Sequence, residues 1–237
     1  RSPTGPTHLE AGQEKTHLRL LPGEQIRTPR ILLVTGKGDR DTLHNRFRRL
    51  LLFEYVPRID GHPLRLPVAA QCFDRYSWVR PEWSTEAGQL HAVEATRALG
   101  CDTHWFDAAW FEGGFPNGVG NWFCKPAGFP RGLKPVGDAC HRAQLKFLLW
   151  FEPERVATNT QIAREHPDFV FGGAKGGLFK LNDPAARQWL TELLSRRITE
   201  FGLDVYRNDF NIDPLEYWRG ADAPDRQGIT EIRYVEG

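Results

Sequence analysis

The clearest periodic stretch of the chain lies over 183–202, where Trp189, Leu190, Leu193, Leu194, Ile198 and Phe201 recur along one helical stripe. Asp183 is a natural N-cap, Pro184 suits the first helical position, and Gly202 stops the helix. Residues 204–211 then turn from apolar to polar, which predicts a short buried strand that delivers Asp209 at its C-terminal end. Stretches 104–107 and 147–152 repeat the arrangement, closing on Asp107 and Glu152. Strands that each present a carboxylate at their C-terminal end are how a (β/α) barrel equips its pocket.

From Leu66 onward the pattern alternates between strand and helix. A strand is predicted over 68–72, then a helix over 85–99 facing inward through Leu90, Val93 and Ala98, then the strand ending at Asp107. The loop 108–133, rich in Gly, Trp and Phe, is long enough to imply a function. A helix over 134–143 leads to the strand ending at Glu152, and a short helix over 159–165 is broken by His166 and Pro167. Residues 234–237 look like the opening of a further helix. Four β–α steps imply an α/β fold with a parallel sheet and crossover helices. A whole barrel has eight, so 66–237 are expected to form about the first half of a (β/α)8 TIM-type barrel.

Upstream, 1–16 should be loop and 17–20 an exposed strand, with a turn at Pro22 and Gly23 and a second strand over 31–34. Asp39 or Asp41 is placed to cap a helix whose Leu43, Phe47, Leu50 and Leu51 share a face and which Pro57 ends. Residues 60–63 have turn chemistry, and Pro63 with Pro67 marks a boundary.

Composition narrows the partners. The chain has 237 residues, 40% of them hydrophobic, enough to bury a core. A net charge of +1 creates no bulk field toward nucleic acid or membrane. No apolar run approaches the ~20 residues of a membrane helix and no signal peptide is visible, so the compartment stays unassigned. Arg46, Arg48 and Arg49 suit a solvated helix face. The chain starts at Arg1 and lacks Met, as a processed product or fragment would. Cys72, Cys101, Cys124 and Cys140 lack zinc-site spacing, and Cys72 and Cys101 are read as buried thiols beside strands. His104, His141 and His166 show no metal-ligand spacing, so neither a metal nor a cofactor is expected, which argues against a metal-dependent hydrolase.

The strand ends supply acids (Asp107, Glu152, Asp209), flat apolar faces (Trp110, Trp150) and donors (Arg207, Asn211). Carboxylates for hydroxyls and indole faces for C–H surfaces suit a sugar. Glycoside hydrolysis needs two carboxyl groups across the scissile bond. Arg207 shares a strand face with Asp209 and would keep it ionised, as a carboxylate nucleophile must be. The blander readings make a strand-end Asp a cap or loop anchor, Trp105 and Trp189 core, and Glu152 and Glu154 partners of nearby arginines.

Three blocks carry a family resemblance: Leu-Trp-Phe-Glu-Pro-Glu at 149–154, Arg-Glu-His-Pro-Asp-Phe at 164–169, and 206–211. Together they resemble glycoside hydrolase family 36, the α-galactosidase family. Asp107 with Trp110 and Phe111 is similar to its second-strand motif, a double Asp followed by Gly-Trp-Phe. The likeness runs from about residue 20 to the last, and 21–29 resembles the end of the β-sandwich that precedes the barrel. The resemblance implies domains at 1–65 (end of the N-terminal β-sandwich and linker) and 66–237 (first part of the catalytic barrel). It makes Asp209 the nucleophile of a retaining double displacement on terminal α-galactosides. Asp107 would bind sugar hydroxyls, Trp150 would line the sugar subsite, and Arg207 stands where the family has Lys.

The acid/base Asp would lie beyond Gly237, so the isolated chain is expected to be inactive. An unfinished barrel should also expose a strand edge and apolar helix faces and aggregate. The departures are Ala108 for the second Asp, Asn208 for a Trp, and Lys175 or Lys180 for an Arg. An oligosaccharide or glycoside is the expected partner, and homo-oligomerisation of the full-length protein is left open. The alternative is a non-catalytic carbohydrate-binding or structural remnant of the same fold.

Overall fold

A computed structural model describes residues 8–71 and 81–237. Residues 1–7 of the expected N-terminal loop, and Cys72 with its expected place in the first barrel strand, lie outside them. Strand β1 (His17–Leu18), helix α1 (Arg40–Leu50) and the hairpin strands β2 (Arg58–Ile59) and β3 (His62–Pro63) come first. The alternating part follows as β4 (Ala69–Gln71), α2 (Glu86–Ala98), β5 (Thr103–Phe106), α3 (Lys134–Arg142) and β6 (Lys146–Phe151). It continues through β7 (Arg155–Val156), α4 (Gln161–Glu165), β8 (Gly177–Leu178), α5 (Pro184–Phe201) and β9 (Val205–Asn208). Helix α6 (Leu215–Ala221), strand β10 (Arg226–Gln227) and helix α7 (Ile229–Glu236) complete it.

Strands β4, β5, β6 and β9 form one parallel sheet in that order, the arc of a partial (β/α) barrel. Register pairs Phe106 with Leu149 and Leu149 with Tyr206. These side chains face the helices, in one core with Val93 of α2, Val136 of α3 and Leu190 of α5. Because side chains alternate, the next residues, Asp107, Trp150 and Arg207, turn to the opposite face. Burial of each large core side chain contributes roughly 1.5–3 kcal/mol.

Helix α5 forms as its period predicts. Asp183 accepts from Ala185 N at 2.8 Å, Leu190, Leu193 and Phe201 are buried, and Gly202 closes the helix at φ +68°. Helix α2 forms too, but Ala98 is exposed. Its buried face is Gln89, Ala92, Val93 and Thr96, because two of these are polar partners of the buried His104 of β5. The stretch 108–133 is irregular yet largely interior: Trp110, Phe111, Val119, Trp122, Phe129 and Leu133 are each at most 2% exposed. It builds core rather than a free rim.

The N-terminal part departs most. Asp39 caps α1 through Thr42 N at 2.9 Å. The helix runs on through a π turn to Tyr55, and none of its residues is buried. The strand expected over 31–34 is absent. Those residues carry no regular structure and join no ladder among the described residues, and Ile31, Leu32 and Leu33 are exposed, since an apolar run becomes a strand only beside a partner. Only His17 and Leu18 of the expected 17–20 strand pair, antiparallel to β10. Around that bridge, 13–27 lies as a strap along the C-terminal elements: Arg226 grips Glu24 with both terminal nitrogens at 2.6 Å, and Arg233 adds a third contact at 2.8 Å. Residues 234–236 end a helix that begins at Ile229, rather than opening one. Cys101 is half-buried, not buried.

Candidate active site at the strand ends

Asp209 follows the last residue of β9, and Phe151 fixes its backbone by accepting from Asp209 N at 2.8 Å. Its side chain is densely held. Oδ2 accepts from Trp150 Nε1 at 2.9 Å and from Asn211 Nδ2 at 2.9 Å, while Oδ1 accepts from Phe210 N at 3.0 Å. Arg207 Nη1 adds a charge contact to Oδ2 at 3.4 Å without hydrogen-bond alignment. Partial burial pushes the Asp209 carboxyl up. The bonds from Trp150, Asn211 and Phe210 N, with the Arg207 charge, outweigh it and hold the group below the usual carboxylate range.

Asp107 faces the same cluster with its carboxyl shifted in the opposite direction. It is 6% exposed, and burial raises its carboxyl above the ordinary value against the pull of Ala108 N, Gln71 and Arg207. Ala108 N donates to Oδ1 at 2.8 Å and Gln71 Nε2 to Oδ2 at 3.0 Å. Arg207 lies between the acids, its guanidinium 5.0 Å from the centre of the Trp105 ring. The structure thus gathers Asp107, Arg207, Asp209, Asn211 and the edge of Trp150. Phe210, 40% exposed, lines an adjoining hollow of about 370 Å³ with Glu154, Trp218 and Tyr234.

Three expectations are corrected. Trp110 is fully buried: its Nε1 donates to the Trp150 carbonyl at 3.0 Å, and Phe111, Trp122, Phe151 and Phe201 surround its ring. It offers no face to a sugar. Trp150 is 1% exposed, stacked on Phe111 with Phe115 against it edge-on, and so contributes an N–H rather than a platform. Glu152 is wholly enclosed, with Oε2 on Arg155 Nη2 at 2.5 Å and Oε1 on Asn211 N at 2.7 Å, leaving no oxygen for substrate.

Gln71 and Trp105 were missed. Trp105 of β5 lies two residues before Asp107, on the same face, and Gln71 pairs with Trp105 in register, so period-two spacing carried the signal. Lys180, considered for the absent Arg, donates to the Asp168 carbonyl at 2.8 Å. Ala108 is 2% exposed. Among the described residues, no group of three or more His, Cys, Asp and Glu is arranged to hold a metal, and no helix is long and apolar enough to cross a membrane.

Comparison with known proteins agrees with this architecture. The family model for Melibiase matches residues 77–229, well over half the chain. Alpha-galactosidase 2 of Pediococcus pentosaceus is 32% identical over 163 residues, covering 65% of this chain and 23% of that protein. Alpha-galactosidase Mel36A of Lactobacillus acidophilus is 24% identical, covering 100% of this chain and 33% of its own length. The chain therefore spans about a quarter to a third of these relatives. The crystal structure of the α-galactosidase from Lactobacillus brevis superposes with a TM-score of 0.58 at 25% identity, over 73% of this chain and 24% of that one. A doubly substituted AgaA of Geobacillus stearothermophilus in complex with stachyose gives 0.66 at 19% identity, over 81% of this chain and 27% of that one, a likeness of fold alone. The chain belongs to the melibiase family, within glycoside hydrolase family 36, as a divergent member that carries part of the catalytic barrel.

Proposed function

We propose that this chain is the nucleophile-bearing part of a retaining α-galactosidase, with residues 1–65 as the end of a β-sandwich and linker and 66–237 as the first part of the barrel. The relatives it matches are named α-galactosidases. The observation that carries the mechanism is the state of Asp209: ionised, below the usual carboxylate range, and aimed from a barrel strand end. Such a carboxylate suits attack on the anomeric carbon. A second carboxyl group protonates the leaving oxygen, and water then displaces Asp209, so two inversions retain the configuration. We place that acid/base in the portion of the relatives' length that this chain does not span, and the isolated chain is inactive on this reading. Asp107 and Arg207 bind sugar hydroxyls.

The test treats the full-length protein with an activated 2-fluoro α-galactoside and locates the adduct by mass spectrometry. A sugar on Asp209 supports the reading. Labelling elsewhere, or turnover that survives Asp209→Ala, overturns it. Ala108, which is buried and offers no acceptor beside Asp107, favours a second reading as a non-catalytic carbohydrate-binding or structural remnant. Absence of any adduct with galactose, glucose and N-acetylgalactosamine analogues would support that instead.

A further inference from the structure

We infer that Glu152 is a positioning residue that orients Asp209 through Asn211 without touching substrate, an inference that rests on the reading of Asp209 as nucleophile. Glu152 is 0% exposed, and a buried carboxylate persists only when paired and hydrogen-bonded. Arg155 serves that need at Oε2, with its guanidinium held 4.9 Å from the centre of the Phe115 ring. Oε1 does something else: it accepts from Asn211 N across 59 positions of sequence, joining the end of β6 to the loop after β9. With its backbone anchored there, Asn211 turns Nδ2 back onto Asp209 Oδ2.

Trp150 stands two residues before Glu152 and meets the same oxygen. Beyond the Phe151 carbonyl that holds its backbone, the end of β6 thus supports the Asp209 side chain twice, directly through an indole and indirectly through a carboxylate. The supports converge on Oδ2, while Oδ1 accepts only Phe210 N among the described residues. Oδ1 is therefore the oxygen left to attack. Each donor on Oδ2 stabilises the ionised form, so loosening Asn211 makes Asp209 protonate at higher pH.

The test uses the full-length protein and two readouts. One is the pH profile of kcat and kcat/KM on an activated α-galactoside. The other is NMR titration of the Trp150 indole N–H, which senses Asp209 ionisation whether or not the protein turns over. Asn211→Ala and Glu152→Ala each lower kcat about tenfold, with a smaller change in KM, and move the acid limb and the indole transition to higher pH. The double variant moves them no further, and Glu152→Gln, which keeps an acceptor for Asn211 N, restores most of the loss. The inference is overturned if Glu152→Ala lowers Tm but leaves both transitions in place, or if the two effects add. Should Glu152→Ala fail to fold, an unmoved transition in Asn211→Ala overturns it alone. An adduct on Asp209 with unmoved transitions sinks only the positioning role, whereas an adduct on another residue sinks the nucleophile assignment itself.

Discussion

Trp150 meets Asp209 by its edge: Nε1 lies 2.9 Å from Oδ2, while the ring itself is packed among Phe111, Phe115 and Trp122. An indole in this position steers charge rather than cushioning a sugar. Trp150→Phe keeps the aromatic packing and deletes the donor. On the proposed function, in the full-length protein it should lower kcat/KM by about 10- to 150-fold, the worth of a hydrogen bond to a charged group, and shift the acid limb to higher pH. A change in KM alone, with the limb unmoved, would restore the platform role.

Trp110 makes the opposite prediction. Its N–H is spent on the Trp150 carbonyl and its ring on the core. Trp110→Phe should lower stability by about 1–3 kcal/mol in a denaturant melt while leaving KM unchanged. A raised KM at unaltered stability would place the ring in the sugar subsite after all.

His104 gives an acid-sensitive term to stability. Gln89 Nε2 donates to the Trp83 carbonyl at 2.7 Å, which turns Gln89 Oε1 toward His104 Nε2 at 3.0 Å and assigns the proton to that nitrogen. Thr96 Oγ1 lies 3.1 Å from Nδ1. Burial pushes the imidazole down to about 4 from 6.5, so the unfolded chain binds the extra proton between those values. The contribution is whole above about pH 6.5 and is lost as pH falls toward about 4. Denaturant midpoints measured from pH 7 to 5 should fall in the native sequence. In His104→Leu they should fall less steeply, from a starting point about 1–3 kcal/mol lower.

The fold was legible in the sequence where one signal sufficed. Apolar period and caps located α5 within a residue or two, and strand ends closing on acids located Asp107 and Asp209. What failed needed a partner that sequence does not display. The inward face of α2 includes Gln89 and Thr96 because His104 lies opposite them. Residues 31–34 have the composition of a strand and, among the described residues, no strand to pair with. Glu152 and Trp110 are of types that bind sugars, and they became structural only once enclosure consumed their polar atoms. Residue type pointed to a chemistry, and burial decided which of those side chains reach the pocket.

Glu24 predicts a pH limit for the strap. The hydrogen bond from Arg226, helped by Leu21 N and the Arg233 charge, holds its carboxyl down at about 2 against an ordinary 4.5. The latch is intact above about 4.5 and is lost as pH falls through about 2. The protection factor of the Arg19 amide, which donates to the Asp225 carbonyl at 2.9 Å, should fall over that window. Glu24→Gln should show fast exchange already at neutral pH, and equal protection in both proteins would remove Glu24 from the latch.

Translation gives the same latch a different meaning. Glu24 leaves the ribosome 202 residues ahead of Arg226, about 10–40 s of synthesis at roughly 5–20 residues per second. Until then β1 has no β10 to pair with, and its edge and the Glu24 carboxylate belong to water. The strap is therefore a late seal, which can close only when β10 and α7 are made. A nascent chain stalled before residue 226 should keep 13–27 open to protease, and one released past 237 should not.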